Sequence, residues 1–259
     1  MDFSGTTCVI TGGANGIGRC LVEHFITAGA RVAFADTDKD AGEELVRRLG
    51  THALFVAADM AEEDAVTSFA RIVIDRFGVV NFLVNNACIS RKGVVSGCGY
   101  ADFTYVLRLG VAAPYMLALL FRNVFAESAA IVNIASSRAF MSQADTESYS
   151  AAKGGISALT HALSVSLAGR VRVNAVSPGW IDTSAYQKAS VCAPELSKPD
   201  MLQHPVGRVG KPEDVAAMVM FLCGKEAGFV TGQNFVVDGG MTRQMVYHGD
   251  DGWTFLQEK

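Results

Sequence analysis

Residues 7–18 read Thr7-Cys8-Val9-Ile10-Thr11-Gly12-Gly13-Ala14-Asn15-Gly16-Ile17-Gly18, an apolar run that breaks on a cluster of glycines. The run is short, rich in β-branched side chains and ends at glycine, so it predicts a buried strand. From residue 16 the apolar positions change to helical spacing, with Ile17, Leu21, Phe25 and Ile26 on one stripe and a stop at Gly29. A strand that turns through glycines straight into a helix presents free N–H groups and partial positive charge at the turn, which suits a phosphate. In such a turn Gly12 permits the tight bend, Gly16 lets backbone approach a pyrophosphate, and Gly18 lets the helix pack closely. Three glycines are also ordinary turn punctuation, so the motif needs company.

The same alternation continues down the chain. Arg31–Asp36 predicts a second strand, Asp40–Leu49 a second helix ending at Gly50, and Ala53–Ala57 a third strand followed by a helix over about 61–76. Val79–Val84, Ala129–Ile134, Val171–Val176 and Asn234–Val237 complete the strands, with helices near 100–126, 147–168 and 212–223. Continuously apolar strands alternating with helices predict a parallel sheet covered on both faces. Right-handed crossovers then give an α/β fold, a single-domain Rossmann-type doubly wound sheet of about seven strands spanning residues 1–259. The stretch 184–211, with Pro194, Pro199 and Pro205, is too long for an ordinary connection and reads as a substrate lid. The tail 241–259 carries Met241, Met245, Tyr247, Trp253 and Phe255, too apolar for a solvated end, and is expected to pack on its own fold or on a neighbouring subunit.

Bulk properties narrow the function classes. A chain of 259 residues with 50% apolar side chains can bury one sizeable core. Its net charge of −4 gives no basic field for a polyanion, so nucleic acid is not an expected partner. The six cysteines show no CxxC spacing and no metal-ligand rhythm with the five histidines, so no metal is expected and a reducing, cytoplasmic setting is. The start, Met1-Asp-Phe-Ser-Gly-Thr-Thr7, lacks signal-peptide character, and the longest apolar stretches break on charge or glycine before membrane-spanning length. No membrane partner is expected.

Two further features give the glycine turn its company. Asp36 closes the second strand about 20 residues past the glycines, where a carboxylate can take both ribose hydroxyls of a dinucleotide. A helix N-cap is the plainer use of an aspartate there, but Asp38 or Thr37 serves that equally well. A 2′-phosphate beside Asp36 would meet like charge at a cost of roughly several kcal/mol, and neither Asn15 nor Thr37 compensates, so NAD is expected over NADP. The second feature is Tyr149-Ser-Ala-Ala-Lys153 on a predicted helix, with Ser136 upstream at the end of the fifth strand. Four-residue spacing puts Tyr149 and Lys153 on one helix face. A phenol ordinarily ionises near pH 10, so a tyrosine acting as a base at neutral pH needs about 4 kcal/mol in favour of the phenolate. A lysine ammonium and a positively charged nicotinamide at short range supply it. Ser136 would hydrogen-bond the substrate oxygen while Tyr149 exchanges its proton.

With these residues in hand, the chain resembles the short-chain dehydrogenase/reductase family over nearly its whole length. The matches are Thr11-Gly-x-x-x-Gly-x-Gly18, Asp59, Asn85-Asn86-Ala87, Ser136, Tyr149-x-x-x-Lys153, Asn174, Pro178-Gly179 with Thr183, and Asp238-Gly239-Gly240. The resemblance implies Ser136, Tyr149 and Lys153 as catalytic residues, and a dinucleotide lying on Gly12, Asn15, Gly16, Ile17 and Gly18. It implies Asp36 at the ribose, Asp59 and Met60 near the adenine, and Asn86 and Ala87 near its ribose. Tyr149 and Lys153 would also hold the nicotinamide ribose, with Pro178, Gly179, Ile181 and Thr183 around the carboxamide. It further implies a homo-oligomer, commonly a tetramer, acting on a small alcohol or carbonyl substrate. Two departures stand out. The family's Asn-Asn-Ala-Gly ends here in Cys88, and the family's fourth catalytic position, an asparagine, aligns with Gly110 in Arg108-Leu-Gly110-Val-Ala-Ala-Pro114. Pro114 has no N–H for the Gly110 carbonyl, so a water in the room left by the missing side chain is expected to keep the proton relay intact.

Two function classes follow. The first is an NAD-dependent secondary alcohol dehydrogenase or ketone reductase; the second is a catalytically weak NAD-binding regulatory or scaffold protein, motivated by Gly110 and Cys88. A complete Ser136, Tyr149 and Lys153 set argues for the enzyme.

Overall fold

The computed structural model describes residues 1–188 and 193–245. Its strands are β1 Thr7–Thr11, β2 Arg31–Asp36, β3 Ala53–Ala57, β4 Val80–Asn85, β5 Phe125–Ile134, β6 Val171–Pro178 and β7 Asn234–Val237. The helices are α1 Gly16–Thr27, α2 Lys39–Leu49, α3 Glu63–Phe77, α4 Tyr100–Leu107, α5 Ala113–Phe121, α6 Glu147–Ser166, α7 Lys198–Leu202 and α8 Pro212–Cys223. All seven strands form one sheet in the order β3-β2-β1-β4-β5-β6-β7, and every pairing is parallel. Because β1 pairs with both β2 and β4, the chain winds outward in opposite directions from these two central strands. That reversal opens a crevice at their carboxyl ends, beside Thr11 and Asn85.

Alternating side chains feed two cores. Ile10, Phe34 and Val132 face one layer, where Leu21 and Phe25 of α1 meet Val219 and Leu222 of α8. Val9, Ala33 and Ile131 face the other, against Phe69 of α3 and Leu117 and Phe121 of α5. Phe25, Phe34, Phe69 and Phe121 are fully buried, each contributing about 1.5–3 kcal/mol of transfer free energy. Both faces are covered, as the unbroken apolar strands require.

Three expectations need correction. The predicted helix near 100–126 stops at Phe121, and β5 begins at Phe125 rather than residue 129. Its first residues include exposed Glu127 and Ser128, the latter at φ +60°, where the register with β4 also shifts, so the apolar pattern starts late. Second, α4 and α5 are joined without a break by a wide turn over Arg108–Ala112, in which the Ala113 N–H donates to the Arg108 carbonyl five residues back. Third, Tyr100–Phe121 forms one helical stretch of 22 residues, long and apolar enough by composition to cross a membrane. Its place in the fold is decided by packing: α5 lies against α3 and α4 against α6, and Arg108 at its middle pairs with Glu62 at 3.4 Å.

The stretch 184–211 is only partly irregular. It holds a tight turn at Ser184–Tyr186 and the short α7, opened by a Ser197–Asp200 capping box. A parallel bridge between Ile181 and Gly210 ties its two ends together. Residues 189–192 within it lie outside the described residues, as do Tyr247, Trp253 and Phe255 in the tail. Of the remaining tail, Met241–Arg243 form one turn held by the Asp238 carboxylate, which accepts from Gly240 N and Thr242 N.

Candidate active site

The glycine turn sits at the mouth of the crevice. Gly12 and Gly16 adopt φ +65° and +58°, conformations that cost a non-glycine residue roughly 1–2 kcal/mol. A Cβ on Gly18 would lie 1.8 Å from the Gly12 carbonyl oxygen, which explains the third glycine of the motif. Asn86 locks the turn, its Nδ2 donating to the Thr11 and Gly12 carbonyls at 3.0 and 2.9 Å. The N–H groups of Asn86 and Ala87 both donate to Thr11 Oγ1 at 3.1 Å, so β1 and β4 are laced together at this point. Two observations fit a ligand at the turn. No side chain caps α1, and no acidic residue lies in its first turn; the Asn15 Oδ1 atom is buried and has no hydrogen-bond partner among the described residues. Exposed N–H groups and an unused acceptor suit a dinucleotide's phosphates and hydroxyls.

At the end of β2 the two aspartates divide the work. Asp38 caps α2, accepting from Ala41 N at 3.1 Å, so the capping role does not fall to Asp36. Asp36 accepts from Ala14 N and Asp38 N, both at 3.0 Å, one on each carboxylate oxygen. Each oxygen retains a lone pair for a ribose hydroxyl. Asp59 is held by Ala61 N at 2.9 Å and by the Tyr105 hydroxyl at 2.9 Å, with Met60 buried next to it. Burial pushes the Tyr105 phenol up, and the Asp59 carboxylate adds to that. Tyr105 was not legible in the sequence, because nothing in the pattern of α4 marks which of its side chains reaches across to β3.

The three catalytic candidates lie around the end of β5, Ser136 just past it and Lys153 reaching its last residue from α6. Ser136 is buried, and its Oγ accepts from Arg138 N at 3.1 Å, which fixes its rotamer. Lys153, only 3% exposed, donates from Nζ to the Ile134 carbonyl at 2.7 Å. Its ammonium lies 5.3 Å from the centroid of the Tyr149 ring. Among the described residues no carboxylate pairs with it, so a buried positive charge faces the phenol with only a carbonyl to compensate. α6 itself is anchored to the sheet by a buried relay: Asn85 Nδ2 donates to Asn133 Oδ1 at 2.7 Å, and Asn133 Nδ2 to Thr160 Oγ1 at 2.9 Å.

The far side of the crevice is closed by the end of β6. Pro178 pairs with Val237, Gly179 N donates to the Val237 carbonyl at 3.0 Å, and a Cβ on Gly179 would lie 2.7 Å from that of Asp238. Ile181 and Thr183 follow, and a Cβ on Gly16 would stand 3.6 Å from Thr183 Cβ, so this segment faces the glycine turn directly. Asn174 is buried below them as a structural group, donating to the Val230 carbonyl and accepting from Gln233 N. Of the cations bordering the crevice, Arg91 stacks over Tyr105 at 5.1 Å and pairs with Asp102 at 3.8 Å. Arg138 donates to Gln143, and its buried Nη1 has no partner among the described residues.

The two departures from the family pattern touch each other. A Cβ on Gly110 would lie 3.1 Å from Cys88 Sγ and 3.0 Å from Ala152 Cβ, one residue before Lys153. The room expected for a water beside Gly110 is therefore taken by the Cys88 thiol. Gly110→Asn should lower stability by about 1–3 kcal/mol through overpacking, less a few tenths (about 0.3 kcal/mol) regained from removing a helical glycine, since asparagine is itself a poor helix former. Thermal melting should show the loss, and kcat should fall rather than rise. Adding Cys88→Gly should restore both; a Gly110→Asn protein that melts and turns over like the parent would show that the site yields freely.

The comparisons with known proteins bear on the family and the fold. Residues 12–242 match the sequence profile described as enoyl-(acyl carrier protein) reductase. An uncharacterized oxidoreductase of Thermotoga maritima is 42% identical over 253 residues, covering 95% of this chain and 99% of that protein. An apo SCOR enzyme from Clostridium thermocellum superposes with a TM-score of 0.88 at 37% identity, covering 98% of this chain and all of the other (100%). The chain belongs to the short-chain dehydrogenase/reductase family, and it is an oxidoreductase acting on CH–OH or carbonyl groups. The solved neighbours carry both nicotinamide cofactors. A 3-ketoacyl-(acyl-carrier-protein) reductase from Brucella melitensis (TM-score 0.82, 28% identity, 93% and 100% coverage) is complexed with NADH. A blue fluorescent protein from a metagenomic library (0.84, 29%, 93% and 99%) is complexed with NADPH.

Proposed function

We propose that the protein is an NAD(H)-dependent secondary alcohol dehydrogenase or ketone reductase, with Ser136, Tyr149 and Lys153 as its catalytic residues. The observation that carries this reading is the buried Lys153 ammonium, held by the Ile134 carbonyl and facing the Tyr149 ring with no carboxylate partner among the described residues. A group so placed stabilises negative charge on the phenol oxygen whenever the proton leaves it. When bound, the nicotinamide ring supplies or accepts the hydride. Tyr149 Oη takes the proton of the alcohol in one direction and returns it to the carbonyl oxygen in the other. Ser136 Oγ donates to that same oxygen, orienting it and stabilising its developing charge. Lys153 keeps two further N–H donors beyond the one used on Ile134, enough for a ribose hydroxyl and the tyrosine. Thr183, Gln187 and Lys188 lie over the glycine turn and serve as one flank of a lid. The scaffold reading keeps its motive in Gly110 and Cys88, whose packing fills the space without supplying the asparagine's amide, and the complete Ser136, Tyr149 and Lys153 set argues against it.

The preference for NAD rests on Asp36, whose carboxylate ends β2 with a lone pair free on each oxygen. With one substrate, kcat/KM for NAD should exceed that for NADP by roughly a hundredfold, about 2.7 kcal/mol. A substrate panel of secondary alcohols, their ketones and a 3-oxoacyl thioester, followed by absorbance of the reduced cofactor, supplies that substrate. Equal or better use of NADP would overturn the cofactor assignment; binding of NADH with no turnover anywhere on the panel would favour the scaffold.

A further inference from the structure

The segment that follows Thr183 crosses the glycine turn and arrives at the ribose end of the site. A Cβ on Gly16 would lie 3.5 Å from Gln187 Nε2, and Gln187 is itself tied back to Thr183 Oγ1 at 3.1 Å. Tyr186 pins the segment to α8 through Glu213 Oε1 at 2.8 Å. Two residues beyond Tyr186, Lys188 places its ammonium 2.7 Å from Asp38 Oδ2, an oxygen that also accepts from Asn15 Nδ2 at 3.1 Å. Asp38 N in turn donates to Asp36 Oδ1. The ribose edge is therefore lined by two hydrogen-bonded aspartates and one cation from a distant stretch of chain. The neighbouring Lys39 points elsewhere, pairing with Glu43 at 3.7 Å.

We propose that Lys188 is a cofactor-discriminating residue, held in check by Asp38: paired with that carboxylate, its ammonium is withheld from the 2′ position of the ribose, where it would otherwise receive a phosphate. Asp36 excludes the 2′-phosphate by like charge, and Asp38 excludes it a second time by occupying the cation that could bind it. This rests on the dinucleotide reading of the site and adds a second determinant to the preference assigned to Asp36. The hydrogen bond from Lys188 to Asp38 holds the lysine above its usual range, consistent with an ammonium committed to that partner.

Asp38→Asn separates the two roles of the residue, since asparagine caps a helix as well as aspartate does but carries no charge. Binding of NADH and NADPH, each titrated by fluorescence without substrate, reads the effect independently of turnover. In Asp38→Asn the affinity for NADPH relative to NADH should rise about tenfold, the scale of one charge-assisted hydrogen bond. Combining it with Lys188→Ala should abolish the rise. An unchanged ratio in Asp38→Asn would overturn the proposal. So would a rise that persists in the double variant, because relief of like charge would then explain everything. Asp38→Ser, which also caps, repeats the test if the asparagine variant melts early. A parent protein that prefers NADPH would sink the Asp36 assignment alone, while the ratio between variants would still decide the role of Lys188.

Discussion

Tyr149→Phe should lower kcat by about a thousandfold or more, roughly 4 kcal/mol of barrier, while leaving NADH affinity within a few fold. The substitution removes one oxygen and keeps the ring, so the half-buried packing of Tyr149 on α6 and the position of Lys153 against the ring are retained. What disappears is the oxygen to which the proposed mechanism assigns the proton transfer. Lys153→Met should behave differently. Its ammonium donates to the Ile134 carbonyl at the end of β5, so the variant should lose cofactor affinity and kcat together and leave a buried carbonyl without its donor. Fluorescence titration with NADH and steady-state rates on the same preparations separate the two patterns. If Tyr149→Phe retains more than a tenth of the parent activity, the phenol is not the proton donor, and the assignment of α6 as the catalytic helix fails with it.

How much of this was legible in the sequence follows from the range of the interactions involved. The sheet was, because its central strands are buried on both faces and write that burial as an unbroken apolar run, as in Val9-Ile10 and Ile131-Val132. So were the residues whose role is set by a local backbone demand: Gly18 against the Gly12 carbonyl, or Tyr149 and Lys153 one turn apart. The start of β5 was hidden, because Glu127 and Ser128 interrupt its periodicity at a register shift. Long-range partners left no local trace. Tyr105 reaches Asp59, Lys188 reaches Asp38, and Cys88 fills the space above Gly110. The last case is instructive, since Cys88 and Gly110 read separately as two defects and prove to be one compensated contact. Asp36 and Asp38 were both visible as carboxylates at the end of β2; only the hydrogen bond to Ala41 N assigns the cap to Asp38.

Gly18→Ala should be the most damaging single methyl group in the molecule. Its Cβ would lie 1.8 Å from the Gly12 oxygen, 2.7 Å from the Gly12 carbonyl carbon and 2.7 Å from Asn86 Nδ2. No side-chain rotation relieves this, because two of the three atoms are backbone of a turn already bonded to β2 through Gly12 N and the Ala35 carbonyl at 2.8 Å. Either α1 tilts away from the sheet, opening the core around Leu21 and Phe25, or the turn shifts and breaks the Asn86 lacing. Both routes cost about 3 kcal/mol or more, on the scale of severe overpacking, which lowers Tm by roughly 6–12 °C for a chain of this size. Both also displace the N–H groups offered to the phosphates, so NADH affinity should fall at least about a hundredfold. Gly16→Ala is the control. There the nearest atoms lie at 3.5 Å and beyond, and the left-handed φ of +58° is the principal strain. It should melt within a few degrees of the parent yet still bind NADH more weakly, since its methyl group stands on the turn to which the proposed site assigns the pyrophosphate. If Gly18→Ala melts and binds like Gly16→Ala, the close contact between α1 and the turn does not govern cofactor binding. The third glycine would then be dispensable to the site.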